Sequence, residues 1–182
     1  MSKILFIVFS IGFVFIRVWF HNPEQKDQTE FRPRRESILA SQFSLALLLS
    51  HGWWLSEDHG RMLDSWLLWI GAVFMGISLP LLYWVHNSLG AYFSARLVLQ
   101  PKHAIIQNGP YQWIRHPMYS VGFLYLIGAG LLSNSWLVGM VPTLSFTLLV
   151  WLRIKDEEKM LCDLSEEYQQ YMERTGRFLP KL

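Results

Sequence analysis

Apolar residues occur in five long blocks along the chain, separated by shorter polar segments. The blocks run over Ile4 to Phe20, Ile38 to Leu55, Asp64 to Trp84, Tyr119 to Leu132 and Trp136 to Leu152. A helix needs about 20 mostly apolar residues to cross a bilayer, and about 17 are sometimes enough. The pattern therefore predicts an all-α, polytopic membrane protein with five transmembrane helices. The fourth block reaches the required length only if its helix begins at Pro117.

Basic residues are divided very unequally between the two sides that five crossings create. One side carries only Lys3 and Arg61, and Arg17 lies near the edge of the other. The second side carries the remaining thirteen basic residues: Lys26, Arg32, Arg34, Arg35, Arg96, Lys102, Arg115, Arg153, Lys155, Lys159, Arg174, Arg177 and Lys181. Because cytoplasmic loops are rich in Lys and Arg, the N-terminus is expected outside and the C-terminus in the cytosol. Four or six crossings would destroy this asymmetry.

The composition limits the classes of function. The 182 residues are 52% hydrophobic and 16% charged, and they fit a single membrane domain. The net charge of +2 does not indicate a nucleic-acid partner, because the membrane asymmetry already accounts for the basic residues. Cys162 is the only cysteine, which excludes an internal disulfide, and no metal site is expected. The first block lacks a small-residue cleavage site, so a retained span is favoured over a signal peptide.

Two polar segments are expected to fold rather than to remain simple loops. The connector from His86 to Arg115 is long and rich in apolar residues, which indicates that it packs against something. After the last span, apolar residues recur at helical spacing, at Met160, Leu161, Leu164, Tyr168, Tyr171 and Met172. This predicts an amphipathic cytosolic helix that ends near Gly176. A tail helix lying on the membrane surface is the simplest alternative.

The stretch HAIIQNGPYQWIRHPMYS, residues 103–120, gathers polar groups just before the fourth span. Pro117 suits the first position of a helix, so His116 and Tyr119 are expected at the cytosolic mouth of that span. Free amides at a helix start attract anions, and Arg115 would reinforce this field. Beyond the fifth span, Arg153 and Glu157 lie four residues apart on one helix face. An ordinary surface ion pair remains an alternative for them.

These motifs together resemble the isoprenylcysteine carboxyl methyltransferase family of integral membrane enzymes, in a prokaryotic form. The resemblance rests on GPYQWIRHPMYS, preceded by HAIIQN and followed after two spans by RIKDEEKML and EEYQQYMERTGRFLP. It covers roughly residues 86–180, about half of the chain. It implies three N-terminal spans over residues 1–85 and a catalytic core over residues 86–182, in a prokaryotic inner membrane.

The resemblance also implies S-adenosylmethionine as cofactor and a role for particular residues. Arg153 would face the carboxylate of the substrate as catalytic and substrate-binding residue, and Glu157 would contact the cofactor, with Glu158 as the neighbouring alternative. The other residues implied in cofactor binding are His103, Ala104, Ile105, Ile106, Tyr111, His116, Pro117, Met118 and Tyr119. At the position where eukaryotic members carry a glutamine, this chain has Arg96.

The acceptor of the methyl group is expected to be lipophilic and to enter from the bilayer, among membrane lipids. A carboxylate acceptor is ionised at neutral pH and needs no general base, whereas an amine or thiol must usually lose a proton. Since no dedicated base lies beside Arg153, carboxyl O-methylation is favoured. A phospholipid or other lipid amine N-methyltransferase, and a non-enzymatic membrane subunit with the same fold, remain alternatives, because fold alone does not select a substrate.

Overall fold

The protein was analysed as a computed structural model, which describes residues 2–20, 34–56, 64–90 and 105–181. Within these ranges the fold is all-α, as predicted. Six α-helices follow one another: α1 (Ser2–Trp19), α2 (Arg34–Ser56), α3 (Ser65–Leu89), α4 (Pro117–Ser133), α5 (Trp136–Leu164) and α6 (Glu166–Arg174). A short 3-10 helix, Gly109–Gln112, precedes α4. The predicted residues Arg96, His103 and Ala104 lie outside the described ranges.

Three helices in the described part of the chain are long and apolar enough to cross a membrane. They are Ser2–Trp19, Ser65–Leu89 and Trp136–Asp163. Helix α4 is also apolar and begins at Pro117 as predicted, but it has 17 residues. Large apolar side chains such as Ile11, Val14 and Val18 point outward from α1, as expected for a surface that faces lipid. The number of five crossings stays a prediction.

Small residues allow neighbouring helices to approach closely. A Cβ atom at Gly71 of α3 would lie 2.4 Å from the backbone nitrogen of Leu132 and 2.8 Å from the carbonyl oxygen of Gly128, both in α4. Likewise, a Cβ at Gly130 would lie 2.6 Å from Cα of Gly139 in α5. Glycine at these positions permits close backbone contact between helices, and the resulting van der Waals packing favours helix association inside a membrane. The glycines of α4 therefore serve helix packing.

Contacts between helix ends fix the relative directions of the helices. At one end of the bundle, Phe6 of α1 packs against Trp54 of α2 with ring centroids 4.6 Å apart. Trp54 Nε1 donates a hydrogen bond to the carbonyl oxygen of Ser133 at the end of α4, at 2.8 Å. At the opposite end, Arg17 of α1 contacts Met118 at the start of α4. We refer to this second end, which holds Arg17, Met118 and Arg153, as the basic end.

The polar segment that follows the fifth apolar block is divided between the end of α5 and α6, instead of forming the single separate amphipathic helix that was predicted. Ser165 separates α5 from α6 and caps the latter, since its hydroxyl accepts a hydrogen bond from the amide of Glu167 at 3.1 Å. Tyr168 and Tyr171 on the apolar face of α6 are buried. Tyr171 donates its hydroxyl hydrogen to the carbonyl oxygen of Tyr111. Tyr168 and Tyr171 of α6 thus pack against the protein itself.

Candidate functional site

The C-terminal segment after α6 pairs with the residues that precede α4. Ile114 and Gly176 form an isolated parallel bridge. The amide of Arg115 donates to the carbonyl oxygen of Gly176 at 2.9 Å, and the amide of His116 donates to that of Arg177 at 3.1 Å. The Ser120 hydroxyl donates to the carbonyl oxygen of Phe178 at 2.6 Å. The tail is therefore attached along the segment that carries the Arg-His-Pro motif.

Glu158 lies at the centre of this attachment. Its Oε1 atom accepts hydrogen bonds from Arg115 Nε and Arg177 Nε, both at 3.1 Å, and lies 3.3 Å from His116 Nε2. Arg177 also donates to its Oε2 atom through a second nitrogen. The side chain of Glu158 is only 8% exposed. A carboxylate buried to this extent requires cationic partners, and Glu158 has them on both the Arg-His-Pro segment and the tail.

Arg115 differs from the expectation drawn from the sequence. It was expected to strengthen an anion site at the start of α4. Instead, its guanidinium binds Glu158 and donates to the carbonyl oxygens of Met172, at 3.0 Å, and Thr175. The amide of His116, next to the helix start, is likewise bound by the tail. The side chain of Arg115 therefore holds the tail in place. It is 9% exposed and is surrounded by hydrogen-bond acceptors that belong to the protein.

A second network, beside Glu158, contains the predicted site residues Tyr119, Arg153 and Glu157. The Tyr119 hydroxyl donates to Glu157 Oε2 at 2.9 Å, and Arg153 Nε lies 3.8 Å from the same oxygen. Arg153 and Glu157 share a face of α5, as predicted, and their side chains are 19% and 25% exposed. The His116 ring stacks on that of Tyr119, with centroids 5.6 Å apart. The His116 residue is buried, whereas the side chains of Arg153 and Glu157 are partly exposed.

An apolar wall adjoins this network. Ile106, Tyr111 and Met118 pack together with Leu82 and Val85 of α3. Burial raises the pKa of the Tyr111 hydroxyl far above its usual range, so Tyr111 is neutral at all ordinary pH values. Ile105 is half-buried, and Pro117 is buried at the first position of α4. The structure thus brings the predicted residues from Ile105 to Tyr119 to the same end of the bundle as Arg153 and Glu157.

The turn before Tyr111 depends on a glycine. Gly109 has φ of 57°, a conformation that other residues adopt only with strain. A Cβ at this position would lie 2.3 Å from the Ser88 hydroxyl at the end of α3. From the sequence alone, the pair Gly109-Pro110 indicates a turn at which the backbone can approach a ligand closely. The close approach that the structure contains is to α3, and it anchors the segment that carries Tyr111.

Several residues of the basic end were missed from the sequence. Arg177 and Tyr171 join the site only because the tail folds back, and no local pattern indicates this. The adjacent pair Glu157 and Glu158 was noted, but the pattern did not separate their roles. Arg17 carried a usable signal, because a charged residue inside an apolar block is costly and usually functional.

The sequence profile of the isoprenylcysteine carboxyl methyltransferase family matches residues 69–163, about half of the chain. The chain belongs to this family. The matched region includes most of α3 and α5, together with the 3-10 helix and α4, and it therefore contains Tyr119, Arg153 and Glu157. The resemblance drawn from the sequence motifs is confirmed.

Relatives of this family member come from bacteria and from eukaryotes. An uncharacterized protein of Bacillus subtilis, YpbQ, is 32% identical over 56% of this chain and 60% of its own. The cobalt-zinc-cadmium resistance protein CzcN of Cupriavidus metallidurans is 30% identical over 75% of this chain and 58% of its own. The protein-S-isoprenylcysteine O-methyltransferase of Saccharomyces cerevisiae is 34% identical over 43% of this chain and 33% of its own. The chain thus spans about three fifths of the bacterial relatives.

The fold is similar to that of a solved family member. This chain superposes with a TM-score of 0.59 on the eukaryotic intramembrane Ras methyltransferase ICMT, an isoprenylcysteine carboxyl methyltransferase. The match covers 82% of this chain and 54% of that one, with 21% sequence identity. The helical arrangement described above is therefore similar to part of the fold of that protein.

Proposed function

We propose that this family member is an S-adenosylmethionine-dependent methyltransferase that acts on a lipophilic acceptor, and that the reaction is carboxyl O-methylation. The observation that carries this proposal is the network of Tyr119, Glu157 and Arg153 at the basic end of an apolar bundle. Membership of the family supports the reaction class, and similarity to the yeast protein-S-isoprenylcysteine O-methyltransferase supports the carboxyl acceptor. The proposal places the protein in a prokaryotic inner membrane, with five spans, an outer N-terminus and a cytosolic C-terminus.

The residues at the basic end suit S-adenosylmethionine in two respects. Its ammonium group needs a carboxylate, and Glu157 provides one that is partly exposed and already oriented by the Tyr119 hydroxyl. Its adenine needs an apolar or aromatic surface, which Ile106, Tyr111 and Met118 provide next to the network. In this proposal the cofactor is held by these residues with Ile105, His116, Pro117 and Tyr119, and by His103 and Ala104 outside the described ranges.

The two acidic residues have different roles in this proposal. Glu157 contacts the cofactor, because it is the more exposed and its partners are Tyr119 and Arg153. Glu158 is buried among Arg115, His116 and Arg177, and it positions the Arg-His-Pro segment and the tail. Glu158 also accepts a hydrogen bond from Nε2 of His116. This bond orients the imidazole ring, which stacks on the ring of Tyr119.

Arg153 is the residue that binds and orients the acceptor. The cofactor, when bound, supplies an electrophilic methyl group on a sulfonium. A guanidinium can hold a carboxylate with two parallel hydrogen bonds and so aim one of its oxygens. Alignment of this kind contributes about 7 to 11 kcal/mol in well-oriented intramolecular reactions. Because a carboxylate is ionised at neutral pH, the chain needs no group to remove a proton.

Labelled-methyl transfer into a total membrane lipid extract tests the proposal. The purified protein is incubated with methyl-labelled S-adenosylmethionine and the extract, and the labelled product is then treated with base. Carboxyl methyl esters release methanol, whereas N-methyl and S-methyl products do not. Base-stable label would support the lipid amine alternative instead. A folded protein that binds no S-adenosylmethionine in calorimetry would contradict any methyltransferase and leave the non-enzymatic subunit.

A further inference from the structure

Helix α6 uses one of its faces to hold the residues around the 3-10 helix. Glu167, Tyr171 and Arg174 are spaced four and three residues apart, so they lie on the same side of α6. Tyr171 donates its hydroxyl hydrogen to the carbonyl oxygen of Tyr111. The two charged residues bind the side chain of Gln107. These three side chains of α6 thus all contact the segment from Gln107 to Tyr111.

Gln107 is bound at both ends of its side-chain amide. Its Nε2 atom donates a hydrogen bond to Glu167 Oε1 at 2.8 Å, and its Oε1 atom accepts one from Arg174 Nη2 at 3.1 Å. Both bonds are to charged groups, and such bonds are stronger than those between neutral groups. An amide turned the other way round would direct its NH2 group at the arginine, which can only donate. The two partners therefore fix the amide of Gln107 in one orientation.

Gln107 directly follows two of the residues that the proposed function assigns to the cofactor, Ile105 and Ile106. Ile106 packs against the apolar cluster that contains Tyr111. Tyr111 is itself attached to α6 through its carbonyl oxygen. The segment from Ile105 to Tyr111 therefore has two attachments to α6, one on each side of the turn at Gly109.

The attachment through Gln107 is better suited to placing this segment than to stabilising the fold. Glu167 and Arg174 are exposed, and Gln107 is half-buried. Hydrogen bonds and ion pairs that water can replace add little to the free energy of unfolding. The placement of a binding residue is more sensitive, because a displacement of about 1 Å can strongly impair a site. The bonds of Gln107 are therefore expected to affect binding more than stability.

We propose that Gln107 is a positioning residue of the cofactor site. It attaches the segment from Ile105 to Tyr111 to α6, and so it sets where Ile106 and Tyr111 meet the adenine of S-adenosylmethionine. This inference rests on the proposed function. It extends the site to α6, which lies beyond the residues 69–163 that the family profile matches. Glu167 and Arg174 act through Gln107 and do not touch the cofactor.

Calorimetric binding of S-adenosylmethionine to the full-length protein in phosphatidylcholine nanodiscs tests this role. In Gln107→Ala the dissociation constant should rise by about threefold to tenfold, as expected for the loss of a hydrogen bond. Methyl transfer should show the same rise in KM for the cofactor, with kcat unchanged within about twofold. The melting temperature should fall by less than about 3 °C. Gln169→Ala, at an exposed glutamine on the opposite side of α6, is the matched control and should bind the cofactor normally.

A double-mutant cycle shows whether Gln107 acts through α6. Glu167→Ala alone should weaken cofactor binding by about threefold or more. The variant with both substitutions should bind within about twofold of Gln107→Ala, because the two residues share one interaction. If the two effects multiply in the double variant, the residues act independently and the inference is overturned. A rise of less than about threefold in Gln107→Ala also overturns it. A larger rise together with a fall of more than about 3 °C in melting temperature would show that Gln107 only stabilises the fold.

Failure of the proposed function gives a different result. If the folded, unsubstituted protein binds no S-adenosylmethionine, the methyltransferase proposal is wrong and the inference is wrong with it. If that protein binds the cofactor and transfers its methyl group, and Gln107→Ala does so with the same KM, the proposed function stands and only the role of Gln107 is wrong.

Discussion

Tyr119 and Glu157 join α4 to α5 at the basic end of the bundle, through a hydrogen bond of 2.9 Å from the tyrosine hydroxyl to the carboxylate. The bond fixes the orientation of a partly exposed carboxylate in the candidate cofactor site. It also connects the Arg-His-Pro motif to the Arg-x-x-x-Glu motif, which are 38 residues apart in the chain. The two motifs therefore form one site, and its parts can be tested separately.

Tyr119→Phe should weaken the binding of S-adenosylmethionine by about tenfold or more, because a hydrogen bond to a charged group contributes about 1.5 kcal/mol or more. The ring remains, so its stacking on His116 and the stability of the fold should change little. Calorimetric titration of the cofactor measures the effect. Tyr83→Phe, at an exposed tyrosine of α3, is the control and should bind the cofactor as the unsubstituted protein does. Equal affinity in both variants would contradict the role of the hydroxyl.

Arg153→Ala should abolish methyl transfer and leave the cofactor affinity within about threefold, because in this proposal Arg153 binds the acceptor. Glu157→Ala should weaken cofactor binding itself, by about tenfold or more, since it removes the carboxylate for the ammonium group. Initial rates of labelled-methyl transfer and cofactor titrations separate the two effects. An equal loss of cofactor affinity in both variants would show that the roles are assigned wrongly.

Glu158→Gln should destabilise the protein by about 3 kcal/mol, because it leaves Arg115 and Arg177 near each other without their shared counter-charge. The tail after α6 should detach first, since these arginines and His116 hold it. Thermal unfolding in detergent, with limited proteolysis of the tail, measures both effects. Glu173→Gln, at an exposed acid of α6, is the control and should change stability by less than about 0.5 kcal/mol. Equal stability of the two variants would contradict a positioning role for Glu158.

Stability should fall at high pH because of Tyr171. Burial raises the pKa of its hydroxyl from 10.0 to about 12, while the Arg115 charge opposes this rise. Between these two pKa values the unfolded chain loses a proton that the folded chain retains, so unfolding becomes more favourable as pH rises through this window. The contribution is about 1.4 kcal/mol for each pKa unit. Tyr171→Phe should unfold with a shallower pH dependence above pH 10, in chemical denaturation at fixed temperature, and an unchanged slope would contradict this cause.

Gly71→Ala should destabilise the bundle by about 1 to 3 kcal/mol, because the added methyl group cannot be accommodated without moving α3 away from α4. The atoms in its way belong to the backbone of α4, at 2.4 and 2.8 Å, and cannot rotate aside. Gly52→Ala in α2 is a matched control, since no atom lies within 4 Å of its Cβ position. It should be neutral or stabilising by up to about 1 kcal/mol through helix propensity. Thermal unfolding of both variants provides the comparison.

The amino-acid pattern alone determined the helices and their order. Long apolar blocks form helices whatever their neighbours, because in lipid the backbone must satisfy its own hydrogen bonds. The start of α4 at Pro117 could also be predicted locally, because proline favours the first position of a helix. The i,i+4 spacing also placed Arg153 beside Glu157 correctly, since it depends only on helix geometry.

Only the tertiary structure decided which acid is buried and which is accessible. Glu157 and Glu158 are adjacent and chemically identical, but they point in different directions from α5, and the tail covers one of them. The attachment of the tail in turn depends on Arg115 and Arg177, which are 62 positions apart in the numbering and meet only after folding. The position of Arg17 beside Met118 likewise depends on the packing of α1 against α4. Local sequence preferences act within a few residues, whereas charges from distant segments share a partner only when packing brings the segments together.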